Sequence, residues 1–145
     1  MPSNDPSNDD NPDAIIRRLT TAAGQARANA YAPYSGFTVG AALLGADGQI
    51  YAGANVENSA YPQSQCAEAS AIGAMISAGE RRLQAVLVTA SGPELVTPCG
   101  GCRQRLFEFG RPDTPVHLCI DQKIMRTVSL GELLPLGFGP ANLGC

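Results

Sequence analysis

The sequence predicts an α/β protein, a three-layer α-β-α sandwich around a mixed five-stranded sheet. Apolar residues switch between helical and strand spacing in the order α-β-β-α-β-α-β-β-α. Asp47-Gly48 is a two-residue hairpin signal, so at least one strand pair is antiparallel. From Gln49 onward, strands alternate with helical segments, which calls for right-handed crossovers and parallel neighbours. A chain of 145 residues is long enough for one domain with a sizeable core.

The elements follow in order. Ile15, Leu19, Ala22 and Ala26 recur at helical spacing, so a helix is expected over Ala14–Ala30, capped by Asp13 and ended by Ala32-Pro33. Phe37, Val39, Ala41 and Leu43 alternate on one face of a strand over Phe37–Leu44, and its hairpin partner runs Gln49–Asn55. Ser64 or Gln65 opens a helix that runs to Gly79, which takes the left-handed position after a helix. Ala85–Ala90 reads as a buried strand. Pro98-Cys99-Gly100-Gly101 opens the next helix, which runs through Phe109 and closes at Gly110. Pro115–Ile120 and a short Arg126–Ser129 complete the strands, and Leu130–Leu134 is a helical turn.

Composition narrows the function. Met1–Asp13 is rich in Asn, Asp, Pro and Ser with no apolar core, so it is expected to be a disordered acidic tail rather than an export signal. A single domain then spans residues 14–145, with 10 basic and 9 acidic residues. A pI near 5.0 and only short pairs of bases, Arg17-Arg18 and Arg81-Arg82, argue against a nucleic-acid partner. No stretch approaches the roughly 20 apolar residues of a membrane span. A cytoplasmic protein acting on a small molecule is expected.

Three of the five cysteines carry the chemistry. Cys66-Ala67-Glu68 and Pro98-Cys99-Gly100-Gly101-Cys102 present three thiols that can close three sides of a tetrahedral Zn²⁺ site and leave the fourth open. The arrangement is similar to the zinc deaminase signature, in which a glutamate that is not a ligand moves protons. Glu68 takes that place. All three thiols fall at helix starts, where the helix dipole and free N–H groups are expected to lower their pKa values. A structural zinc site would need a fourth ligand. His117 is the one histidine, and it reads as a packed residue inside a strand. Cys119 reads as a small core hydrophobe and Cys145 as a terminal free thiol.

At these residues the chain resembles the small homotetrameric cytidine deaminases, from Ala30 to Leu143. Tyr31 through Ala42 resembles the family's leading segment, Asn55 through Pro62 its nucleoside-binding strand and loop, Pro98 through Gln104 its second metal motif, and Phe138-Gly139-Pro140 its C-terminal end. The resemblance implies hydrolytic deamination of cytidine and 2′-deoxycytidine in pyrimidine salvage, with one Zn²⁺ per chain. It implies that Asn55 and Glu57 bind the ribose, that Phe37 packs on the pyrimidine, and that Tyr61 contacts the sugar or shapes the loop. The Ala67 backbone would face the base carbonyl, and Phe138 would complete a neighbour's active site in a homotetramer. One departure is Ala69, where the family commonly has an Arg that hydrogen-bonds the cysteine sulfurs. The charge of three thiolates around Zn²⁺ then falls on backbone N–H groups or on a base such as Arg103. Blasticidin S deaminase also has an uncharged residue at that position, so this antibiotic is the alternative substrate.

Overall fold

The computed structural model describes residues 11–145. Its elements are α1 (Pro12–Ala28), β1 (Val39–Gly45), β2 (Ile50–Ala54), α2 (Ala67–Ser77), β3 (Leu83–Ala90), α3 (Gly100–Phe109), β4 (Pro115–Ile120), β5 (Lys123–Ser129) and α4 (Leu130–Leu133). Two single 3₁₀ turns, Tyr61–Gln63 and Pro140–Leu143, were not anticipated. The acidic tail expected over residues 1–13 lies outside the described residues up to residue 10. Its last two residues belong to α1 and Asn11, not Asp13, is the cap, its Oδ1 accepting the Asp13 N–H at 3.0 Å.

The five strands form one sheet in the order β2-β1-β3-β4-β5. β1 is antiparallel to β2 and to β3, β3 and β4 are parallel, and β5 is antiparallel to β4. Among the described residues only one crossover, β3-α3-β4, therefore places parallel strands side by side. The expected β2-α2-β3 neighbour pair does not form, because β1 lies between β2 and β3 and pairs with both. The strand β1 is consequently buried on both faces. Ala41 and Leu43 pack under α2 and α3, while Ala42 and Leu44 pack under α1. That arrangement gives the three layers.

Two glycines set how closely the layers approach. A Cβ on Gly40 would lie 2.0 Å from the Ala23 carbonyl oxygen of α1, and one on Gly53 would lie 2.4 Å from the Ala71 nitrogen of α2. Both neighbours are backbone and cannot swing aside. Gly53→Ala is therefore expected to destabilise the protein by about 1–3 kcal/mol through overpacking. In a thermal melt this lowers Tm by roughly 3–10 °C. An unchanged melt would mean that α2 can shift off the sheet freely.

The strand β5 is longer than expected because its hairpin carries no glycine. Asp121 and Gln122 form the turn with φ of 48° and 66°. Asp121 Oδ1 accepts from Ser91 Oγ at 2.7 Å and from Arg27 Nη1 at 3.2 Å, and the Gln122 N–H donates to Thr89 Oγ1 at 3.0 Å. Tertiary contacts hold two residues in the left-handed region, where Asp is tolerated better than most side chains. His117 and Cys119 sit buried on β4 as expected, with His117 Nδ1 2.8 Å from Thr127 Oγ1.

Candidate active site

The starts of α2 and α3 meet under the sheet, and the cysteines are placed by those starts. Cys66 is the N-cap of α2, Cys99 is the N-cap of α3, and Cys102 lies in the first turn of α3. Their three Sγ atoms lie within 4.8 Å of one another, and those of Cys66 and Cys99 are 3.8 Å apart. Sulfurs held 2.3 Å from a tetrahedral zinc stand about 3.8 Å apart, so the donor set fits this ion. Among the described residues no other group of His, Cys, Asp or Glu is gathered in this way.

The thiols do not all respond to the helix starts as expected. The backbone N–H of Cys102 holds Cys99 below the usual thiol range. Burial wins at the other two, pushing Cys66 and Cys102 up. The helix-end field acts on the exposed thiol, whereas desolvation of the thiolate dominates at the covered ones. Loading the site with metal therefore displaces protons, and zinc affinity rises with pH.

Glu68 follows Cys66 by two residues and points inward, 4% exposed. Burial raises its pKa above the usual carboxylate value, opposed first by its own backbone N–H, then by a hydrogen bond with the Cys102 thiol, and least by the Arg105 charge. A carboxyl group shifted in this direction exchanges protons nearer neutrality.

Beside Glu68 opens a cavity of about 270 Å³, close to the lower end of the roughly 300–1,000 Å³ typical of small-molecule sites. Its wall brings together Phe37, Asn55, Glu57, Cys66, Ala67, Glu68 and Cys99 from the expected set. Cys102 lies behind the wall. Tyr61 and Phe138 are not part of it. Tyr61 is exposed and stacks edge-on against Tyr34 at 5.8 Å between ring centroids. Phe138 is exposed on the C-terminal segment, where its carbonyl accepts from Gln104 Nε2 at 2.8 Å.

The polar end of the cavity is built from two strands of sequence tied together. The Asn55 amide is committed to backbone: its Oδ1 accepts the Val39 N–H at 2.9 Å and its Nδ2 donates to the Phe37 carbonyl at 2.8 Å. Glu57 accepts the N–H groups of Tyr34 and Ser35 at 2.9 and 3.1 Å and a short bond from the Ser35 hydroxyl. The Ser35 hydroxyl, above all, holds the Glu57 pKa low. The segment Tyr31–Phe37 thus wraps around Asn55–Glu57 and turns Phe37 toward the cavity. Gly36, with φ of 70°, makes that turn.

Val39, Ser64, Gln65, Val88, Val96 and Thr97 also line the cavity and were not expected at the site from sequence. Val96 and Thr97 directly precede Pro98-Cys99, and that adjacency was the available signal. Arg103 does not face the thiols as the charge argument expected. Its Nε, Nη1 and Nη2 donate to the Pro98 carbonyl, the Leu133 carbonyl and Thr97 Oγ1 at 2.7, 2.9 and 2.9 Å. It braces the Cys99 loop against the C-terminal segment.

Three gathered thiols and a buried carboxylate, set at helix starts of an α/β sandwich, fit a zinc-dependent hydrolase. The model of the cytidine and deoxycytidylate deaminase zinc-binding region matches residues 14–118, and the chain belongs to that family. It is 41% identical to the cytidine deaminase of Sporosarcina psychrophila, over 88% of this chain and 94% of the relative. Identity to the cytidine deaminase of Halalkalibacterium halodurans is 45%, over 79% and 86% of the two chains. The fold matches the crystal structure of cytidine deaminase from Burkholderia pseudomallei with a TM-score of 0.79 at 43% identity, over 84% of this chain and 98% of that one. For the cytidine deaminase from Mycobacterium tuberculosis the TM-score is 0.75 at 41% identity, covering 85% and 96%.

Proposed function

We propose that this protein catalyses the hydrolytic deamination of cytidine and 2′-deoxycytidine to uridine and 2′-deoxyuridine, releasing ammonia. The observation that carries the reading is that Glu68 and two of the clustered thiols, Cys66 and Cys99, line one cavity sized for a single small molecule. When bound, zinc supplies a Lewis acid that makes water a nucleophile near neutral pH.

The chain's own residues supply the rest. Cys66, Cys99 and Cys102 hold the ion. Phe37 offers an apolar face to the pyrimidine, and the Ala67 backbone approaches the base without a bulky side chain in the way. Glu57, ionised at the polar end, accepts a hydrogen bond from a ribose hydroxyl. Asn55 reaches the same end and holds the Phe37 and Val39 backbone in place. Tyr61 shapes the outer loop through Tyr34. As the oxygen of water bonds to C4 of the base, Glu68 accepts the proton released and delivers it to N3. The new C4 hydroxyl then gives its proton through Glu68 to the amino group, the C4–N bond breaks as the C4 carbonyl forms, and ammonia leaves.

Residues 14–145 act as one domain in this reading, in the cytoplasm and in pyrimidine salvage. No helix among the described residues is long and apolar enough to cross a membrane. The curated relatives named cytidine deaminase favour the nucleoside over blasticidin S. An absorbance assay tests this directly, with cytidine, deoxycytidine, blasticidin S and a cytosine-containing oligonucleotide run side by side. Turnover of the antibiotic or the oligonucleotide in preference to the nucleosides would overturn the assignment.

Homotetramer assembly belongs to the same proposal. Leu136, Phe138 and Leu143 are strongly exposed in the single chain, and Phe138 lies outside its own cavity. In a symmetric assembly each chain can lend the same aromatic to a neighbour. Phe138→Ala is expected to raise KM about tenfold, the scale of a lost base–aromatic stack, with modest loss of assembly. Mixing it with a Glu68→Gln protein under subunit exchange should restore part of the activity. A fully active monomer in light scattering would contradict the shared site.

A further inference from the structure

We propose that Gln104 is a positioning residue for the substrate site of a neighbouring subunit, because its side-chain amide fixes the backbone that presents Phe138. The inference rests on the shared-site reading above, in which Phe138 completes a neighbour's cavity. Gln104 lies on α3, directly after Arg103 and two residues after Cys102. It is exposed and lines no part of its own chain's cavity.

The segment after α4 is an arch whose two feet stand on adjacent residues of α3. Arg103 Nη1 donates to the Leu133 carbonyl at 2.9 Å, and Gln104 Nε2 donates to the Phe138 carbonyl at 2.8 Å. Among the described residues no other hydrogen bond reaches Phe138. Between the feet, the fully exposed Leu136 takes φ of 54°, a value that few leucines adopt. The residues on either side of Phe138 are packed. A Cβ on Gly137 would lie 2.7 Å from Leu134 Cδ2, and one on Gly139 would lie 2.7 Å from Phe107 Cε1. The Gly139 N–H also donates to Asn142 Oδ1 at 2.9 Å. The backbone at Phe138 is thus held, while its ring is 57% exposed. An aromatic on a held backbone loses little freedom when a second copy takes it up, and cutting the Gln104 tie adds that ordering cost to binding.

The test uses the full chain at matched zinc content. Gln104→Met keeps the length of the side chain and removes the donor. It should raise KM about three- to tenfold, the scale of ordering one side chain, with kcat near wild type. Gln104→Lys restores a donor and should bring KM back toward wild type. Mixing then shows where Gln104 acts. With Gln104→Met and an excess of Glu68→Gln under subunit exchange, every competent cavity has its Glu68 from the first chain and most receive Phe138 from the second. The recovered activity should show wild-type KM. A KM that stays raised in the mixture would place the effect in Gln104's own chain and overturn the proposal. So would wild-type KM in unmixed Gln104→Met, or an equal rise in Gln104→Lys, which marks lost packing rather than a lost donor. Phe138→Ala that gains nothing from the same mixing would overturn the shared-site reading along with it. Rescue of Phe138→Ala without rescue of Gln104→Met overturns this inference alone.

Discussion

Replacing Glu68 by Gln is expected to cut turnover about 10²–10⁴-fold while zinc and fold stay in place. The change is isosteric and replaces none of the three thiols, so metal content should match wild type. What is lost is the group that accepts a proton from water and returns it to the base. The same variant carries a second, independent expectation. Burial raises the Glu68 pKa, so the folded protein binds its proton more tightly than the unfolded chain does. Above that folded pKa, ionised Glu68 weighs against the folded state, and the penalty disappears as pH falls below the ordinary carboxylate value. The metal-free Glu68→Gln protein should therefore melt higher than metal-free wild type at pH 8, with the difference closing near pH 4. Wild-type turnover in a zinc-loaded variant would return Glu68 to a helix-dipole role. A lower melting temperature at pH 8 would contradict its unfavourable burial.

Cys99→Ala is expected to remove zinc almost completely, with activity falling in parallel. Cys99 is the most accessible of the three thiols and the one whose thiolate is favoured before metal arrives. Without it the other two thiols keep raised pKa values and offer only two donors, too few to hold the ion. Metal analysis of the purified variant, reported as zinc per chain, decides the matter. Full occupancy would mean that another group completes the site. The fold itself should survive, because Cys99 is exposed and the core beneath it is made by β1, β3 and the apolar faces of the helices.

The strand and helix alternation was legible because burial in a sandwich imposes a period on apolar residues. Element ends were less so. Asn11 and Asp13 both suit a cap, and only the hydrogen bond between them settles which one caps α1. Asp121-Gln122 lacks the usual glycine, so the start of β5 was hidden in contacts to Arg27, Ser91 and Thr89. The place of β1 between β2 and β3 was also invisible, since strand order depends on which faces are covered and not on any local signal.

The site divides in the same way. Zinc accepts few donor types and the proton carrier must stand beside it, so Cys66, Glu68, Cys99 and Cys102 announce themselves by residue type and short spacing. Ligand chemistry of this kind is local in sequence. Charge compensation and pocket walls are not. Arg103 and Arg105 are two residues apart on one helix, yet the Pro98 and Leu133 carbonyls and Thr97 Oγ1 bind the first while the second folds over the bare Gly101. The thiol pKa values split because burial differs among the three cysteines, and burial exists only once α2 and α3 pack against the sheet. Chemical identity was written in the motifs, whereas the direction of each charge and the shape of the cavity came from segments far apart in the chain packing together.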